Sequence, residues 1–133
     1  MRYLCLIYLD EKLMDALPKA ESDSLRREAV SYADAMKENG TAVACHALQR
    51  VQSATSMRRR NGKLLVTDGP FAETKEQLGG FMLIETASLS DAIRIASKIP
   101  LARYGSIEVR PTWELAQKEP AAGRGLPAQA IGG

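Results

Sequence analysis

One histidine, two cysteines, two phenylalanines and one tryptophan leave these 133 residues poor in the side chains that metal and redox chemistry use. Cys5 and Cys45 lack the spacing of a zinc or thiol–disulfide motif. With His46 as the single histidine, no metal site is expected. Both thiols sit among apolar neighbours, which points to buried, inert cysteines. No sign of charge prevails: 18 Lys and Arg against 16 Asp and Glu give +2. That balance offers no electrostatic footprint for nucleic acid. Long apolar runs are missing too. The run that opens the chain stops at Asp10-Glu11-Lys12 without a cleavage site of small residues, and no segment is long enough to span a membrane. Walker, dinucleotide-fingerprint and Ser-His-Asp patterns are absent. The expectation is a cytoplasmic protein with no cofactor, no membrane partner and no nucleic-acid partner.

What is present is ordinary globular composition, 45% hydrophobic and 26% charged. A chain of this size forms one domain and buries a core without disulfides. Residues 2–9 read as a buried strand. After a polar loop with Pro18, Ser22, Asp23 and Ser24 offer N-caps for a helix to about Asn39. Its apolar stripe is Leu25, Ala29, Tyr32, Ala33 and Met36, and Gly40 suits the left-handed position after its end. Residues 42–49 make a second strand. Thr55 to Asp68 reads as a hairpin closed by Asn61-Gly62, pairing Arg60 with Lys63, Arg59 with Leu64 and Met57 with Val66. Its cluster Arg58-Arg59-Arg60 with Lys63 is a solvated, edge-protecting tip or a phosphate or partner contact. Gly79-Gly80 precedes a strand at 81–85. Ser88 and Asp91 resemble a capping box for a helix with Leu89, Ala92, Ile93, Ala96 and Ile99 on one stripe, stopped by Pro100. A last strand covers 107–110. The domain thus spans residues 1–116, and 117–133, rich in Ala, Gly, Pro and Gln, is a flexible tail.

Without the hairpin the order is β-α-β-β-α-β, the ferredoxin-like arrangement of an α+β fold, with both helices on one sheet face. Such a sheet should alternate apolar and polar residues. The first strand does not: Tyr3, Cys5, Ile7 and Leu9 lie on one face, and Leu4, Leu6 and Tyr8 on the other. Phe81 and Leu83 likewise oppose Met82 and Ile84. A second copy of the sheet is the simplest cover, giving a two-fold homodimer.

The run Asp68-Gly69-Pro70-Phe71-Ala72-Glu73-Thr74-Lys75-Glu76, continuing into Gln77-Leu78-Gly79-Gly80-Phe81, resembles the naming motif of the DGPFAETKE (DGPF domain, YCII-related) family. The ending Ile107-Glu108-Val109-Arg110-Pro111-Thr112-Trp113-Glu114 is similar to that family's ending, so the resemblance covers about residues 1–115. It implies a dimeric α+β barrel in which two ferredoxin-like sheets face each other. YCII-type relatives are thought to place an Asp and a His in one cleft, and family members are often encoded beside extracytoplasmic-function sigma factors.

Within the motif Asp68 is the candidate acid or base, ending a strand where sheet folds often place ligand contacts. A carboxylate at the mouth of an apolar cleft is desolvated, which suits proton transfer. An Asp before Gly is equally a common turn-former. Gly69 permits positive φ or close approach, Pro70 fixes φ, and Phe71 is expected to anchor the turn in the core. Glu73 and Lys75 form a local ion pair or contact a polar ligand. His46, on an apolar strand, is a core or rim histidine or a weak second catalytic candidate. Glu108 and Arg110 project from one face as rim charges. Two functions follow: acid–base chemistry on a small, partly apolar molecule, or a non-catalytic ligand- or protein-binding module in regulation, as a sigma-factor link implies.

Overall fold

Hydrophobic bulk on both alternating sets makes Arg2–Leu9 a strand, β1, in the computed structural model, which describes residues 1–113. The tail assigned to 117–133 lies outside the described residues. Directly after β1 the expected polar loop is partly helical. The Asp10 carboxylate accepts from the backbone N–H groups of Lys12 and Leu13, capping α1, Glu11–Asp15.

The long helix α2 runs Lys19–Glu38, starting ahead of the caps proposed at Ser22 to Ser24. Pro18 takes the N-cap, where its missing N–H costs nothing, and the Ser22 N–H bonds its carbonyl at 2.9 Å. Gly40, at φ 82°, ends the helix as expected. Strand β2, Ala42–Ala47, follows.

Strand β5 spans Gln77–Glu85 and so includes the glycine pair thought to precede it. Gly80 is needed there, since a Cβ would come within 2.9 Å of the His46 carbonyl oxygen on β2. Helix α3, Leu89–Ser97, is capped by Ser88, whose Oγ accepts from the Asp91 N–H. Its inward face is Ala92, Ile95 and Ala96, continued by Ile99. Ile93 and Leu89, assigned to that stripe from spacing, are instead about half exposed, at 54% and 50%. Both sets fit a helical period, and packing selects the one containing Ile95. Strand β6, Ser106–Pro111, closes the sheet.

The four strands pair in the order β2-β5-β1-β6, antiparallel throughout. This is an α+β architecture compatible with the ferredoxin-like fold. One face carries the core: Tyr3, Cys5, Ile7, Met82 and Ile84 pack with Ala92, Ile95, Ala96 and Ile99. The Tyr32 hydroxyl donates to the Ile95 carbonyl at 2.7 Å, tying α2 to α3. On the other face Leu4 pairs with Leu83 and Leu6 with Phe81, all half-buried, and the helices do not cover them.

The inserted hairpin is a separate two-stranded sheet of β3, Thr55–Arg60, and β4, Lys63–Asp68. Asn61 and Gly62 have φ of 52° and 78°, the positive values a type I′ turn needs, and the expected register holds at all three pairs. Among the described residues no helix is long and apolar enough to cross a membrane.

Between α3 and β6, Gly105 lies against β1 so closely that a Cβ would stand 2.0 Å from the Tyr8 carbonyl oxygen. Gly105→Ala is therefore expected to lose about 1–3 kcal/mol by forcing backbone apart. Urea unfolding should show it, with Gly79→Ala, whose Cβ is close to the Leu9 side chain at 3.1 Å but clears the Ile7 carbonyl oxygen at 3.8 Å, losing less.

Candidate functional site

The segment Asp68 to Glu76 links β4 to β5, and its shape is set by hydrogen bonds of its neighbours. Gly69 adopts φ 93° with nothing within 4 Å of a Cβ position, so its backbone angle, not space, requires glycine. The Gly69 N–H donates to the Ala54 carbonyl at 2.7 Å, and the Ser56 hydroxyl donates to the Gly69 carbonyl at 2.7 Å. The turn is thus held from β3. No hydrogen bond or ion pair to the Asp68 carboxylate forms among the described residues, so it does not cap its own turn. Asp68 ends β4 opposite Thr55 and is exposed.

Further along, the Gln77 side-chain amide donates to the carbonyls of Ala72 and Thr74, at 3.2 and 3.1 Å. The Thr74 hydroxyl donates to the Glu76 carbonyl, and the Glu76 carboxylate accepts from Ser106 of β6 at 2.7 Å. These bonds fasten the motif to the main sheet. Sequence reasoning passed over Ser56, Gln77 and Ser106. The signal available was polar side chains flanking a glycine turn.

Phe71 does not anchor the core. It is 77% exposed, two residues past a turn whose Gly69 bonds go to Ala54 and Ser56 at the hairpin base and not to the main sheet. Pro70 is half-buried beside it. Glu73 and Lys75 form no ion pair with each other among the described residues. They line one groove of about 480 Å³ with Asp10, Glu11, Lys12 and Gln77. At its edge Arg50 makes a paired contact with Asp15, both bonds 2.8 Å, and Glu11 accepts from the Val51 N–H. That guanidinium holds the Asp15 carboxyl below its usual range.

His46 lies on the bare face of β2, opposite Phe81, their rings 5.6 Å apart. It is exposed and forms no hydrogen bond with Asp68. The structure therefore does not join the two candidates within one chain. Glu108 and Arg110, expected on one face, are an ion pair on β6, with Arg110 opposite Leu4 and Glu108 opposite Leu6.

On the helix-covered side, α2 stands off β2 and β5 and leaves a cavity of about 240 Å³. Small residues create it: Ala29, Ala33, Cys45, Ala47 and Gly80 give little bulk to fill the space. Among the described residues no cluster of three His, Cys, Asp or Glu side chains could hold a metal ion.

Sequence comparison places this fold and its linking loop within one family match. A YCII-related domain is matched over residues 1–125. The chain belongs to the YCII-related family. It is also 39% identical over 113 residues to an uncharacterized protein of Rhizobium meliloti (strain 1021), covering 84% of this chain and 91% of that one. In this YCII-related chain the candidate residues come from three places: the hairpin base, the bare sheet face and the loop before β5.

The two thiols differ in a way that can be measured. Burial pushes Cys5 up to about 11 and also raises Cys45, where Lys37 partly offsets the effect. Cys5 is buried, while Cys45 is half-buried on the cavity wall. At pH 8 a disulfide reagent should modify Cys45 slowly and Cys5 only on unfolding. Equal rates for both thiols in the folded protein would contradict this placement.

Proposed function

We propose that this protein is a two-fold dimer whose facing sheets form a barrel-like cleft for a small, partly apolar molecule, with Asp68 as the acid–base carboxylate. The observation that carries it is the uncovered face of Leu4, Leu6, Phe81 and Leu83 on the two central strands. Such a face in water loses about 25 cal/mol for each Å² of apolar area that a partner could bury. A like face about 10 Å away is the geometry that sheet packing provides. Glu108 and Arg110 supply charge at its border, and His46 with Phe81 supplies an aromatic wall at its β2 side. Membership of the YCII-related family supports the same reading.

A second reading, ligand or protein binding without turnover in a regulatory role, is favoured by one observation. Asp68 in the single chain is exposed and lacks a base or acid beside it. Catalysis by a lone solvated carboxylate is weak.

Sedimentation separates assembly from chemistry. Leu6→Asp places a charge at the centre of the bare face and is expected to give a folded monomer where the parent is a dimer. A parent that is monomeric at micromolar concentration would rule out the cleft.

For the carboxylate, phenols and small keto acids can be screened by saturation-transfer NMR and any binder then tested for turnover. Asp68→Asn is expected to keep the dimer, its Tm and binding while turnover falls by about two orders of magnitude or more. Unchanged turnover, or a binder that no protein form converts, would leave the binding-module reading.

A further inference from the structure

We propose that the β3–β4 hairpin is an arm that closes on a second copy of this chain, laying its Met57–Leu64–Val66 face against the partner and screening Asp68 from water. The proposal rests on the dimer reading above and adds what completes its site.

The register fixes which side chains share a face. Thr55 pairs with Asp68, Met57 with Val66 and Arg59 with Leu64, so these six point one way. Ser56 with Thr67, Arg58 with Leu65 and Arg60 with Lys63 point the other way. The ribbon is therefore two-sided: Met57, Leu64 and Val66 gather with Asp68 and Arg59, while Arg58, Arg60 and Lys63 gather opposite around a single apolar residue, Leu65. In the single chain neither side is covered. Met57 is 63% exposed, Val66 54% and Leu64 50%.

A lone two-stranded ribbon is at best marginally stable in water, and needs a third strand or a packed face. A bare apolar ribbon with two free edges also invites non-specific pairing. Within this chain the hairpin pairs with no strand of the main sheet. Its apolar side consequently requires a cover from outside the described residues.

Two observations select a second copy. The first is continuity. The arm is inserted between β2 and β5, the strands that carry His46 and Phe81 on the bare sheet face. A partner seated on that face lies beside the arm's root. The second is charge. Among the described residues Arg58, Arg59, Arg60 and Lys63 have no carboxylate within 4.0 Å, and Asp10 and Glu73 have no cation. Asp10 and Glu73 line the groove at the end of the motif loop. That groove also carries Lys12 and Lys75; in a two-fold pair the four cations of one copy's arm can meet Asp10 and Glu73 of the other's groove. Phosphate binding by the arm would use the cations alone and leave the apolar side bare.

The test uses the full chain. Sedimentation equilibrium of Leu64→Ser/Val66→Ser should show the dimer's dissociation constant raised on the order of a hundredfold or more, from two apolar side chains in each copy no longer buried. Leu65→Ser, on the opposite side, should leave it unchanged. In parallel, benzoylphenylalanine incorporated at Met57 in a mixture of isotopically heavy and light chains should yield heavy–light crosslinks on irradiation. A monomeric parent would overturn the arm and the dimer together. A dimer indifferent to Leu64→Ser/Val66→Ser, with crosslinks confined to single chains, would overturn the arm and leave the dimer standing. Binding of a short DNA duplex at physiological salt, lost in Arg58→Ser/Arg60→Ser but kept in Leu64→Ser/Val66→Ser, would overturn the arm's role in favour of phosphate.

Discussion

Strand β1 is hydrogen-bonded on both sides, to β5 and to β6, and it carries large apolar side chains on both faces. Everything else in the fold answers to that arrangement. Tyr3, Cys5 and Ile7 dictate a helical layer, and α2 and α3 supply it through Tyr32, Ala33, Ala92 and Ile95. The Tyr32–Ile95 bond fixes the two helices to each other on that layer. Leu4, Leu6 and Tyr8 make a matching demand on the opposite face, and among the described residues no helix meets it. A one-residue slip of β1 would exchange the two sets, yet both would still need cover. The pattern therefore sets a need for two layers more firmly than it sets a register. Register is fixed instead by close approaches such as Gly80 to His46 and Gly105 to Tyr8.

The run from Asp68 to Glu76 acts first as a brace. Its glycine turn is clasped by Ala54 and Ser56, and its far end by Gln77 and Ser106. The brace joins a projecting hairpin to the main sheet through a short, well-bonded path. Of its four charged side chains only that of Glu76 is used in this work; those of Asp68, Glu73 and Lys75 take no part in the bonds that hold it. Polar groups that contribute nothing to the local fold, at the junction of two sheets, are where ligand contact costs the structure least.

Much of this was legible in the sequence because it follows from local rules. Asn61-Gly62 dictates the hairpin and its register, Ser88 the start of α3, and Gly40 the end of α2. Two-faced strands gave the uncovered sheet. Where the reading went astray, the deciding forces were non-local. Pro18 outcompeted three good capping residues because the chain can turn into a helix at that point without a side-chain cap. Ile95 displaced Ile93 because α3 is apolar over more than one stripe and only packing on β1 chooses between them. Hydrophobicity alone puts Phe71 inside, yet an aromatic ring follows the backbone that carries it, and that turn is bonded to the hairpin base. The cavity behind Cys45 was invisible for a related reason. It depends on Ala29 and Ala33 facing Ala47 and Gly80 across two elements.

The chemistry has the same dependence on a neighbour as the fold. Proton transfer by a carboxylate needs a dry setting and a reacting group held within hydrogen-bond reach. A single chain supplies neither at Asp68, which faces solvent at the root of a bare ribbon. Its apolar companions on that ribbon, Leu64 and Val66, are the groups whose burial would dry the site. Covering them stabilises an assembly and alters the carboxylate in one step. Under the proposed assembly, then, occupancy of the cleft and association of the chains are linked equilibria: a ligand held by both copies favours the dimer by mass action. Activity or binding at this site should accordingly follow the concentration of paired chains, whereas a site built within one domain would be indifferent to it.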